Sequence, residues 1–71
     1  MKASKINIPI SINVCCAKYG KSKKELAEFL GVTSPTLSNW LSGRTSPSIF
    51  QVEMIAAFFS LTIDEFIKIG A

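Results

Sequence analysis

The stretch KKELAEFLGVTSPTLSNWLS, residues 23–42, decides how this chain folds. Leu26, Ala27 and Leu30 recur at the three- and four-residue spacing of one helix face, and Gly31 follows directly. A glycine there takes the left-handed backbone that ends a helix without strain. Only Gly31, Val32 and Thr33 separate this pattern from a second one that carries Leu37, Trp40 and Leu41 and stops at Gly43. Two helices joined by so tight a turn cross at roughly 90–120°. The crossing needs a small residue at the contact, Ala27, and apolar anchors, Leu26, Leu30, Val32, Leu37 and Trp40. Trp40 reads as a core residue, with contact to a ligand as the lesser alternative. The second helix of the pair has two candidate caps, Thr33 and Ser34. A residue before proline avoids helical geometry, which favours Ser34 as the cap with Pro35 in the first helical position.

Working outward, the same local grammar repeats. Ser22-Lys23-Lys24-Glu25, Ser48-Ile49-Phe50-Gln51 and Thr62-Ile63-Asp64-Glu65 are capping boxes, in which the hydroxyl and the acid or amide three residues on satisfy each other's backbone amides. The box at Ser48 opens a helix with an apolar stripe of Ile49, Val52, Ile55, Ala56 and Phe59. The box at Thr62 opens a short one with Ile63, Phe66 and Ile67. Met54 and Phe58 are expected mostly in the core with Phe59, although Phe58 lies off the stripe and, with Phe50, is equally an exposed dimer patch.

A first helix is predicted from near Pro9 or Ile10 to Tyr19, with Ile12, Cys15, Cys16 and Tyr19 at helical spacing and Gly20 as its stop. Residues 1–8 are read as a flexible arm and residues 9–71 as the domain. Ile6, Ile8, Ile10 and Ile12 alternate as in a strand, but Pro9 interrupts them, so a short edge strand pairing two chains is the alternative. The loops are all short, and the expected fold is a compact all-α bundle of five helices.

Composition bounds the chemistry. Seventy-one residues hold one small domain, and 48% hydrophobic content with 18% charged residues is a globular balance. The chain has no histidine and only two cysteines, adjacent at Cys15 and Cys16. That excludes a Ser-His-Asp or Cys-His site and a disulfide framework, and leaves two free thiols suited to a reducing cytosol. Cys15 fits the apolar stripe as a core thiol, and a redox role for Cys16 is the minor alternative. Glu25 with Glu28, and Asp64 with Glu65, read as capping and surface acids rather than catalytic pairs. No catalytic residue, metal site or cofactor is expected. No uncharged run approaches the roughly 18–20 residues of a membrane span, and polar residues break the N-terminal segment too often for a signal peptide.

The net charge of +3 hides a gradient: residues 1–24 hold six lysines and no acid, whereas residues 25–71 hold Arg44 and Lys68 against five acids. Such asymmetry points to one basic face. Between Thr33 and Ser42 there is no charge at all.

With these residues in place, the chain resembles the Cro/C1-type, phage repressor-like family of DNA-binding proteins. The resemblance centres on residues 23–42 and extends over about residues 10–67, through Gly20-Lys21-Ser22, Gly43-Arg44, Pro47-Ser48 and the apolar spacing up to Phe66. It implies a lambda-repressor-like five-helix domain and sequence-specific binding of a double-stranded DNA operator. The expected role is transcriptional regulation, as a repressor, by a homodimer at least on DNA. It implies a cytoplasmic, prokaryotic or phage-encoded setting, with neither a membrane nor a small-molecule ligand involved. Helix five or the isoleucine-rich arm would supply the dimer contact.

In that geometry helix 34–42 enters the major groove. By position Ser34, Pro35 and Asn39 face the bases, with Thr36 and Ser38 beside them. Lys23, Thr33, Ser42 and Arg44 lie near phosphates, joined by Lys21 and Lys24 around the start of the preceding helix, whose free amides also suit a phosphate. Asn39 has the donor–acceptor pair that matches adenine, and Pro35 offers only an apolar contact, to a thymine methyl. Lys21, Lys23 and Cys16 depart from the family's usual apolar residue, Gln and Arg, so DNA shape is expected to share the readout. The alternative of a different class is a protein-interaction module of antitoxin or bridging type on the same fold.

Overall fold

A computed structural model describes residues 7–70 of the chain. Among them are five helices: α1 (Ile8–Tyr19), α2 (Lys23–Leu30), α3 (Ser34–Leu41), α4 (Ile49–Phe58) and α5 (Ile63–Ile69). The expected all-α, five-helix domain is what forms. α1 packs on α3 and α5, α2 on α3 and α4, and α4 on α5. Ile12, Leu26, Ile55 and Phe66 are fully enclosed at the centre, with Leu37 and Trp40 of α3 and Phe59 around them. The Phe59 ring stacks on Phe66 and meets Tyr19 and Phe58, so one aromatic group ties α1, α4 and α5 together. The core role expected for Trp40 and Cys15 is observed.

All three capping boxes are made. Ser22 Oγ accepts from the Glu25 amide at 3.0 Å while Glu25 Oε1 accepts from the Ser22 amide at 2.8 Å. Ser48 with Gln51 and Thr62 with Glu65 repeat the exchange. Each box replaces two backbone partners that a helix start lacks.

Four expectations need correction. First, α1 begins at Ile8, ahead of Pro9, because Asn7 caps it by accepting from the Ile10 amide at 3.1 Å. Pro9 then falls in the first turn, where a missing N–H costs nothing. Ile8, Ile10 and Ile12 are therefore helical and not an alternating strand. Ile6 and the rest of residues 1–6 lie outside the described residues.

Second, Thr33 and not Ser34 caps α3, and Ser34 is its first helical residue. Thr33 Oγ1 accepts from the Thr36 amide at 3.3 Å and bonds Thr36 Oγ1 at 2.9 Å. Two local bonds outweigh the preference of a pre-proline residue, and Pro35 sits where its amide would be unused anyway. Third, Ile49 is 60% exposed. Periodicity put it on the buried face, but at the first position of α4 no element covers it. It instead lines an open apolar groove with Ile8, Pro47, Val52 and Ile67. Fourth, Met54 is exposed and Phe58 half-buried, so of the expected core trio only Phe59 is buried.

Candidate nucleic-acid interface

The site is built on α3 and bordered by the start of α2. α2 ends at Gly31, whose φ of 72° lets its amide reach the carbonyls of Ala27 and Glu28. The turn is locked by the Val32 amide on the Ala27 carbonyl at 3.0 Å. These bonds fix the exit direction, and α3 starts two residues later. Leu37 and Trp40 anchor α3 into the core from one side. At about 100° per residue, the opposite side carries Ser34, Pro35, Ser38, Asn39 and Ser42.

Ser34, Pro35, Ser38 and Ser42 are exposed and Asn39 is half-buried. Thr36 is also half-buried, and its hydroxyl is engaged with Thr33. The Asn39 side-chain amide takes part in no hydrogen bond among the described residues. Its backbone carbonyl, in contrast, accepts from Ser42 Oγ at 3.1 Å and from the amides of Arg44 at 2.9 Å and Thr45 at 3.3 Å. That carbonyl holds the loop of Arg44 against the end of α3. Gly43, with φ 81°, makes the reversal possible.

The basic residues divide. Lys23 and Lys24 line a groove together with Ser34, Leu37, Ser38 and Leu41, so the start of α2 runs beside one flank of α3. Lys21 does not join them. Its ammonium lies 5.3 Å from the centre of the Phe58 ring on α4, a cation–π contact. Leu41 was not singled out from the sequence as a site residue, although its spacing from Ser34 and Ser38 places it on the same helix flank.

The charge is available. The one ion pair among the described residues is Lys68 to Asp64 at 3.3 Å, between exposed side chains of α5. Lys18, Lys21, Lys23, Lys24 and Arg44 face no carboxylate within pairing distance among the described residues. Glu25, in the first turn of α2, is turned back onto Ser22. Accepting those hydrogen bonds, with Lys21 adding a smaller effect, holds its carboxyl below the ordinary value of 4.5. By helix geometry the amides of Lys23 and Lys24 have no intrahelical acceptor, so they point outward at a positive dipole end.

The two thiols are shielded from solvent. Cys15 and Cys16 are free and buried, and burial pushes both above their ordinary 9.0. A reactive thiol needs the opposite shift. Among the described residues no helix is long and apolar enough to cross a membrane.

The family model described as helix-turn-helix, the Cro/C1 type, matches residues 15–66. The chain belongs to this family. A curated relative, the HTH-type transcriptional activator BcrR of Enterococcus faecalis, is 39% identical over 47 residues, which cover 66% of this chain and 23% of that protein. A crystal structure of a transcriptional regulator from Listeria innocua superposes with a TM-score of 0.74 at 28% identity, covering 86% of this chain and 57% of that one. The chain thus spans about a quarter of the curated relative and somewhat over half of the structural one.

Proposed function

We propose that this helix-turn-helix domain binds double-stranded DNA in a sequence-specific way and regulates transcription. The carrying observation is the uncharged, exposed face of α3 set between unpaired cations, with Lys23 and Lys24 along one flank and Arg44 at its far end. An α-helix with its side chains is about 10–12 Å across, and a B-DNA major groove is about 12 Å wide. Cations supply affinity to any phosphate, while neutral side chains meet base edges without desolvating a charge. In this role Ser34, Pro35, Ser38 and Asn39 face the bases, with Thr36 beside them but engaged with Thr33. Lys23, Lys24, Thr33, Ser42 and Arg44 face the backbone, and Lys21 reaches it only by leaving Phe58.

Repression is the simplest output, because occupying an operator excludes other proteins without further contacts. The relative from E. faecalis is named an activator, and a reporter placed behind the selected operator separates the two. A homodimer on a two-fold operator fits the small core and the uncovered apolar residues Ile49 and Phe50. Sedimentation with and without DNA tests it. The setting that goes with this role is the cytoplasm of a prokaryote.

The primary test is selection of bound duplexes from a random pool, followed by competition at rising salt. An operator should outcompete bulk DNA by about a thousandfold or more, with affinity falling steeply as salt rises. If no sequence outcompetes bulk DNA, the reading fails. A second reading, a protein-docking domain, draws on the exposed Phe29, Phe50 and Met54. Amide shifts on adding DNA that are absent from α3 would favour it.

A further inference from the structure

We infer that the half of α3 carrying Pro35 and Asn39 reads A·T base pairs, with adenine opposite Asn39 and a thymine methyl against Pro35, and that it requires no guanine. The inference rests on the DNA-binding role proposed above and specifies what that site recognises.

The two flanks of α3 differ. Ser34 and Ser38 lie on the flank that shares a groove with Lys23 and Lys24. Pro35 and Asn39 are about 40° apart around the helix and about 6 Å apart along it. Each is about 100° round the helix from its groove-lining neighbour, Ser34 or Ser38, and neither lines that groove. Guanine is read most often by the bidentate fork of Arg or by Lys. α3 contains neither, the α2 cations border the other flank, and Arg44 lies past the C-terminal end of α3, in the loop that the Asn39 carbonyl holds.

What this half does present is specific. The Asn39 side-chain amide makes no hydrogen bond within the described protein, so its oxygen and its NH2 are both free. Its backbone is held firmly, since the Asn39 carbonyl takes three donors from residues 42–45. An unspent carboxamide on a firmly held backbone matches the N6 donor and N7 acceptor of adenine. Pro35 is exposed and offers carbon alone, for which the thymine methyl is the complementary group in the major groove. A separation of about 6 Å along the helix corresponds to roughly two base-pair rises of 3.4 Å, so both contacts fit within one half-site.

The test uses the full chain and duplexes selected from a random pool, with substitutions made base by base. At the position whose preference disappears in Asn39→Ala, adenine should be favoured about tenfold or more, and 7-deazaadenine, which lacks N7, should lose that preference. At one thymine near it, deoxyuridine should bind roughly fourfold more weakly, the worth of one buried methyl group. That difference should vanish in Pro35→Ser. Asn39→Ser and circular dichroism check that the variants fold. Guanine at the Asn39-dependent position overturns the inference, as does a guanine preference in this half-site that is lost in Arg44→Ala. Either result leaves DNA binding itself standing, whereas failure to select any sequence overturns both.

Discussion

Gly70→Ala is expected to destabilise this domain although glycine at a helix end is ordinarily replaceable. Gly70 closes α5 against the start of α1. A Cβ built there would strike Ser11 Oγ, lie 2.5 Å from the Asn7 carbonyl oxygen and 3.1 Å from the Ser11 amide nitrogen. Non-bonded heavy atoms rest at roughly 3.5 Å, so the overlap on the carbonyl is about 1 Å. That carbonyl is not free to swing away, because it accepts from the Ser11 amide in the first turn of α1.

Overpacking of this kind costs about 1–3 kcal/mol. For a domain of this size each kcal/mol lowers Tm by about 4–8 °C. Gly70→Ala should therefore melt at least about 4 °C lower, read by circular dichroism at 222 nm. Ser11→Ala alone should have the opposite sign. Ser11 Oγ is fully buried with no hydrogen-bond partner, and an unsatisfied buried polar atom costs about 1–3 kcal/mol. In the double variant the clash with Oγ is relieved but that with Asn7 remains, so rescue should be partial, with a coupling of at least about 0.5 kcal/mol. An unchanged Tm for Gly70→Ala, or strict additivity of the two changes, would refute the close approach of α5 to α1.

Ser60 holds a left-handed backbone, φ 61°, after α4; Ser60→Gly should stabilise by about 0.5–1 kcal/mol, and a lower urea midpoint would contradict this. Thr33→Ala removes the α3 cap and should cost about 1 kcal/mol while weakening binding to every DNA sequence. Glu25 has a depressed folded pKa. Its contribution is complete above the ordinary carboxyl range and is lost as pH falls through the lower folded value, so Glu25→Gln should flatten the acid side of a stability–pH curve. Lys23→Ala and Arg44→Ala should each lower the slope of log affinity against log salt by about 1 without changing base preference, as followed by fluorescence anisotropy.

What was legible in the sequence was mostly what is decided within four residues. Each capping box is an exchange between a hydroxyl and a side chain three positions on, so its residues announce it. The exposed face of α3 follows from a 3.6-residue period in the same way. Thr33 and Ser34 are both able to cap, and the choice fell to a hydroxyl pair with Thr36 that no single-residue preference weighs. Periodicity assigned Ile49 a face but carries no information on what covers that face, and Met54, off the stripe, was expected in the core on hydrophobicity alone. Lys21 leaves the basic group because Phe58 lies under it, a contact set by how α2 packs on α4. The exposed side of α3 that includes Asn39 was readable from its period; that the Asn39 carbonyl anchors the Arg44 loop was not.

The approach of Gly70 to Asn7 also makes the domain close to a ring. The two ends of the described chain meet at one point, while α3 and its flanking lysines lie in the middle of the sequence. A short linker could therefore join the ends, and the chain could be reopened in the exposed loop at Thr45 and Ser46. Such a rearranged chain, joined between Asn7 and Gly70, would keep every capping box intact.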